Sequence, residues 1–188
     1  MEAALARAQA RLGIVPEGAA AEITAAALAE RLDRAKLAEE TRNTGYPVVG
    51  LVKQLAALSG ASGGWTHWGA TTQDIMDTAL VLQMRDALDL IEPDLRATCA
   101  ALAARASEQR DTVMAGRTHL QHALPVTFGY NCAVWLSPLL TALERLEQAR
   151  PRILRLGFGG AAGTLASLGD QGLAVSRELA KELGRYQE

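Results

Sequence analysis

Residues 71–109, TTQDIMDTALVLQMRDALDLIEPDLRATCAALAARASEQ, decide how this chain folds. Thr71 followed three residues later by Asp74 fits a capping box, in which a hydroxyl and a carboxylate satisfy the first free amides of a helix. From Thr72 to about Gln109 the strong helix formers Ala, Leu, Met, Gln, Arg and Glu dominate, with Pro93 as the one expected bend. A helix of that length needs neighbours of similar length to cover its apolar positions.

Downstream, a second long helix is expected from Pro125 or Val126 to about Leu154, carrying Val134, Leu136, Leu139, Leu140, Leu143 and Leu146 and bent at Pro138. Gly157 to Thr164 then reads as a flexible turn rich in amide donors, and a last helix runs from about Gln171 to Leu183 before Gly184. Upstream, residues 2–12 form a short helix ended by Gly13 and Pro16. Residues 21–41 form another, with Leu28, Leu32 and Leu37 on or near its apolar stripe. Thr44-Gly45-Tyr46-Pro47 interrupts it, and Pro47 opens a helix that reaches Ser59-Gly60. Runs of β-branched residues between turn signals are scarce, so the fold class is all-α. Residues 1–78 are expected to form an N-terminal helical domain and residues 79–188 the first long helices of a central bundle.

With 188 residues, 49% of them hydrophobic, the chain has material for a real core. A net charge of −2 gives no field to attract a phosphate backbone, which excludes nucleic acid as the organising partner. Cys99 and Cys132 each sit inside an apolar helical pattern, as reduced buried thiols do. No stretch approaches the roughly 18 uncharged apolar residues of a membrane span. The start, Met1-Glu2-Ala3-Ala4-Leu5, lacks the basic and apolar regions of a signal peptide, so a cytoplasmic protein with no membrane partner is expected.

Two segments carry polar groups in patterns that suit a ligand. At the start of the long helix, free amides and the positive end of the helix dipole lie beside the hydroxyls of Thr71 and Thr72, where a carboxylate or phosphate would be welcome. Simple capping explains the same pattern, and His67 adds little. The second segment, Gly116 to Gly129, holds two of the three histidines. An imidazole at His119 can move a proton near neutral pH, with Thr118 and Gln121 beside it to orient an oxygen; a satisfied structural histidine reads equally well. No Asp or Glu stands at ligand spacing from His119 or His122, so no metal site is expected.

Taken together, Trp68-Gly69-Ala70-Thr71-Thr72-Gln73-Asp74 and Gly116-Arg117-Thr118-His119-Leu120-Gln121 in a chain of long helices resemble the fumarase/aspartase superfamily of lyases. Phe158-Gly159-Gly160-Ala161-Ala162-Gly163-Thr164-Leu165-Ala166-Ser167-Leu168-Gly169-Asp170 and Gln73-Asp74-Ile75-Met76-Asp77-Thr78-Ala79-Leu80 look like its 3-carboxy-cis,cis-muconate cycloisomerase branch. The resemblance implies a homotetramer with a bundled core and active sites shared between subunits. It also implies a small polycarboxylate substrate, in this branch one of protocatechuate breakdown, and no cofactor or metal. By the same resemblance Thr71 and Thr72 occupy the family's Thr-Ser pair that binds a substrate carboxylate. Thr118 and His119 match its Thr-His pair, with His119 acting as or supporting the general acid, and Gln121 matches a neighbouring polar position.

Two departures narrow the reading. Asn43-Thr44-Gly45-Tyr46-Pro47-Val48 stands where adenylosuccinate lyases carry a His-His-Asp-like motif, which disfavours that enzyme, the runner-up. The family's Gly-Ser-Ser-x-Met-Pro-x-Lys-x-Asn-Pro loop, source of the catalytic serine base, occurs nowhere in these residues. The chain therefore reads as a fragment that is inactive alone. A reading from another class is a noncatalytic helical oligomerisation module.

Overall fold

The computed structural model describes residues 1–184, and its regular structure is helical apart from one two-stranded hairpin. The chain splits into two compact units. Met1–Gln83 with Leu154–Glu188 form one, and Met84–Ile153 form the other.

The first unit contains α1 (Glu2–Arg11), α2 (Glu17–Ala26), α3 (Arg34–Thr44), α4 (Pro47–Leu58), the start of α5 (Thr72–Glu108) and α7 (Gly172–Glu182). Small residues on α1, Ala4 and Ala8, flank Leu5 and let α7 come close, so Leu5, Val175 and Leu179 are fully buried. The opposite side of α1 presents Ala6 to a second cluster with Val15, Ala20, Ile23 and Leu55. Burial of a side chain such as Leu5, Ile23 or Leu179 stabilises the unit by about 2 kcal/mol each. At the rim of the α1–α7 contact Arg7 and Arg11 converge on Glu182, each at 2.7 Å.

The single helix expected over 21–41 is two. α2 stops at Ala26 and α3 resumes at Arg34, with a 3-10 turn over Ala29–Arg31 between them. Asp33 is the signal that ends the gap: its carboxylate accepts from the Lys36 amide at 3.0 Å, capping α3. The side chain of Gln54 on α4 accepts from the Asp33 amide at 2.8 Å and donates to the Asp33 carbonyl at 3.1 Å. Leu28 lies in the break and is exposed rather than on a stripe. The boundary at Pro47 is as expected, with Gly45 at φ 76° ending α3 and Pro47 in the first turn of α4.

The second unit holds the rest of α5, strands β1 (Val113–Thr118) and β2 (Gln121–Thr127), and α6 (Phe128–Ile153). Pro93 lies within α5 and Pro138 within α6, and both helices continue through them. α6 begins at Phe128, not at Pro125 or Val126, because those residues belong to β2. Thr127 accepts from the Tyr130 amide at 3.1 Å through its hydroxyl, while the Phe128 and Gly129 amides donate to the carbonyls of Thr112 and Gln109 at 2.9 Å each. A Cβ at Gly129 would stand 2.5 Å from the carbonyl oxygen of Ala106, so only glycine allows this approach. Farther along, Arg96 pairs with Glu147 and Arg150 with Asp89, tying α5 to α6.

Candidate functional site

The polar segment around His119 forms an antiparallel hairpin. Thr118 pairs with Gln121 and closes a two-residue turn of His119 and Leu120, so all three predicted site residues of this segment lie within one four-residue turn. Thr118, His119 and Gln121 are exposed. Leu120 adopts φ 56°, a conformation disfavoured for a bulky side chain, and is 94% exposed. Leu120 thus holds a disfavoured conformation with no burial to offset it. Lower in the hairpin the register shifts, with Ala123 and Leu124 of β2 both opposite Gly116 of β1.

Thr71 and Thr72 lie in the first unit, half-buried at the start of α5. Their hydroxyls make no hydrogen bond to any described residue. The backbone amides expected to await a ligand are not all free. The buried carboxylate of Asp74 accepts from the Thr71 amide at 2.9 Å, from Gly159 at 2.9 Å and from Gly160 at 3.0 Å. One turn on, fully buried Thr78 donates to the Gly157 carbonyl at 2.9 Å. Asp74 and Thr78, four residues apart on one helix face, thus grip both the amides and a carbonyl of the glycine segment. That segment is therefore pinned and not a free joint. Of the amides at this corner, those of Thr71, Gly159 and Gly160 are spent on an internal carboxylate.

His67 is engaged elsewhere. Its backbone sits at φ 64° and its Nδ1 lies 2.8 Å from Oε1 of buried Glu2, while the buried Gln9 side chain donates to the Trp68 carbonyl at 2.7 Å. These contacts fix the approach to α5 from α1. The roles of Asp74, Thr78 and Glu2 carry no local signal in the sequence beyond the capping box, because their partners lie 65 to 86 residues away. Among the described residues no three His, Cys, Asp or Glu side chains converge as a metal site would require.

Thus two polar sites stand in a helical scaffold, a hydroxyl pair at a helix start and a Thr-His-x-Gln hairpin turn. A family profile described as Lyase matches residues 1–188, and the chain belongs to that family. It is 50% identical over 187 residues to 3-carboxy-cis,cis-muconate cycloisomerase of Pseudomonas aeruginosa, an alignment covering 97% of this chain and 41% of that protein. Among solved structures it resembles fumarate lyase from Mesorhizobium sp. BNC1, with 60% identity, a TM-score of 0.90 and coverage of 98% of this chain and 44% of that one. It also resembles the 3-carboxy-cis,cis-muconate lactonizing enzyme of Pseudomonas putida, with 46% identity, a TM-score of 0.96 and coverage of 100% and 43%. The chain spans about two-fifths of the length of the curated relatives it matches.

Proposed function

We propose that these residues carry the carboxylate-binding and proton-donating side of an enzyme that closes 3-carboxy-cis,cis-muconate to its lactone. The observation that carries this reading is the hairpin turn, which holds Thr118, His119 and Gln121 together and open to solvent. The names of relatives at 46% to 50% identity support the choice of substrate. In the reaction a carboxylate oxygen of the substrate bonds to an alkene carbon. The π electron pair moves to the neighbouring carbon, is held there as an aci-carboxylate, and that carbon takes a proton. Reactant and product are isomers, so the chemistry calls for no redox cofactor.

In an active site shared between subunits, the hydroxyls of Thr71 and Thr72 donate to a substrate carboxylate, and Thr118 and Gln121 orient a second. His119, protonated, stabilises the developing charge and delivers the proton, which it regains from water. Residues 1–78 serve as the N-terminal domain and residues 79–188 as the first part of the central bundle of a cytoplasmic homotetramer. Leu80, Leu90, Ile91 and Leu140, exposed on α5 and α6, support burial of those helices against others.

A chimera tests the reading. These 188 residues replace their counterparts in the Pseudomonas putida enzyme, and loss of muconate absorbance in the ultraviolet is followed. Turnover is expected, with His119→Ala lowering kcat on the order of 10²–10⁴-fold and Thr71→Val with Thr72→Val raising KM. A correctly assembled chimera in which His119→Ala leaves kcat unchanged would overturn the assignment.

A further inference from the structure

The groove between the hairpin and the first two turns of α6 belongs to neither polar pair above, and its construction is specific. Ala123 and Leu124 oppose the single residue Gly116, and a Cβ at Gly116 would lie 2.4 Å from the Leu124 carbonyl oxygen, so the bulge requires glycine. The bulge breaks the strand alternation and lets consecutive residues face one concavity. The result is a cavity of about 480 Å³ lined in part by Gly116, Arg117, Leu124, Tyr130, Asn131 and Trp135.

Its chemistry is that of a site for a flat anion. Arg117 makes no ion pair or hydrogen bond with any described residue, so its charge and its planar set of donors are unspent. No carboxylate lines the groove beside it. Asn131 has committed its amide nitrogen only to the sulfur of Met114, at 3.2 Å, and a sulfur is a weak acceptor. Tyr130 and Trp135 are 60% and 51% exposed. The Trp135 ring is oriented by edge contact with Phe128, at a centroid distance of 6.5 Å and an interplanar angle of 78°. The volume is that of a small-molecule site, and aromatic walls with one cation and one amide select a conjugated acid over a compact inorganic anion.

We infer that this groove is a binding subsite for a planar, conjugated polycarboxylate, with Arg117 pairing a carboxylate and Trp135 and Tyr130 lying against the unsaturated chain. The choice of acid rests on the function proposed above, since a carboxymuconate is such a molecule.

The test uses the 188-residue chain, ¹⁵N-labelled and titrated with 3-carboxy-cis,cis-muconate, with the saturated tricarballylate as comparator. The Trp135 indole and Arg117 side-chain signals are expected to shift with the conjugated acid and much less with the saturated one. Arg117→Gln is expected to weaken binding about tenfold or more, as loss of a charged hydrogen-bond donor does, with Arg117→Lys recovering part of it and Trp135→Phe retaining most. Binding that is unchanged in Arg117→Gln but weakened in Thr71→Val with Thr72→Val overturns the groove and leaves the proposed function standing. Shifts confined to the groove, with Thr71, Thr72 and His119 silent, support the subsite and count against those residues. Absence of binding overturns the groove and leaves the proposed function to the chimera. A chain whose Trp135 is covered by a second copy, seen as a dimer in sedimentation that Trp135→Ala dissociates, assigns the groove to self-association and overturns the ligand site.

Discussion

Three amides converge on the carboxylate of Asp74, one from its own helix start and two from a segment 85 and 86 residues away. The local contact caps α5; the distant ones fix where the glycine segment lies beside Thr71 and Thr72. Asp74→Ala leaves three N–H groups without their acceptor, and a cost of about 3 kcal/mol is expected, measured as a lower urea midpoint. Amide exchange at Gly159 and Gly160 is expected to accelerate in the same variant. Unaltered exchange there would show that the segment is held by other contacts. The capping role of Asp74 was legible in the sequence because it is a three-residue pattern. Its grip on the glycine segment was not, because hydrogen bonding across such a separation leaves no periodicity.

Among the elements, the hairpin is where sequence reasoning and structure part. Strands are recognised by β-branched residues and by Gly or Asn in a tight turn. Here Val113, Val126 and Thr127 stand only at the ends of the strands, and the turn is His119-Leu120. The positions that would have announced the turn are given to polar and strained residues, and that is also why the segment stood out as a site. Relieving the strain is informative: Leu120→Gly is expected to stabilise the chain by about 0.5 kcal/mol, since the gain at positive φ exceeds the added freedom of the unfolded chain. Thermal unfolding checks this, and a loss of stability would mean that the leucine side chain packs in solution. The break between α2 and α3 escaped for a different reason. Ala, Leu, Glu and Arg favour helix across 21–41, and the hold of Gln54 on Asp33 is a tertiary contact that overrides propensity.

For the whole molecule, helix content, the two long helices and the family were legible, because long apolar periodicities and contiguous motifs survive in a linear reading. The closing of the first unit by α7 was not. Its rim is electrostatic: burial raises the Glu182 pKa, but hydrogen bonds from Arg7 and Arg11 outweigh that and hold it below the usual carboxylate value. Glu178, hydrogen-bonded by Lys181 and Arg11, is lowered as well. A carboxylate whose pKa falls on folding contributes stability above its unfolded pKa of about 4.3 and loses it as the pH drops through the folded value. Melting temperature is therefore expected to fall below about pH 4.3, and Glu182→Gln is expected to remove part of that acid sensitivity. The cost of Glu182→Gln at pH 7 is about 1 kcal/mol or less, because both arginines are partly exposed. A variant with an unchanged acid profile would assign the transition to other carboxylates.

The contact between Arg7 and Glu182 spans 175 residues and joins parts of one unit between which residues 84–153 intervene. On the ribosome, α1 therefore emerges long before its partner exists. Leu5 stays without its native cover until α7 has been made.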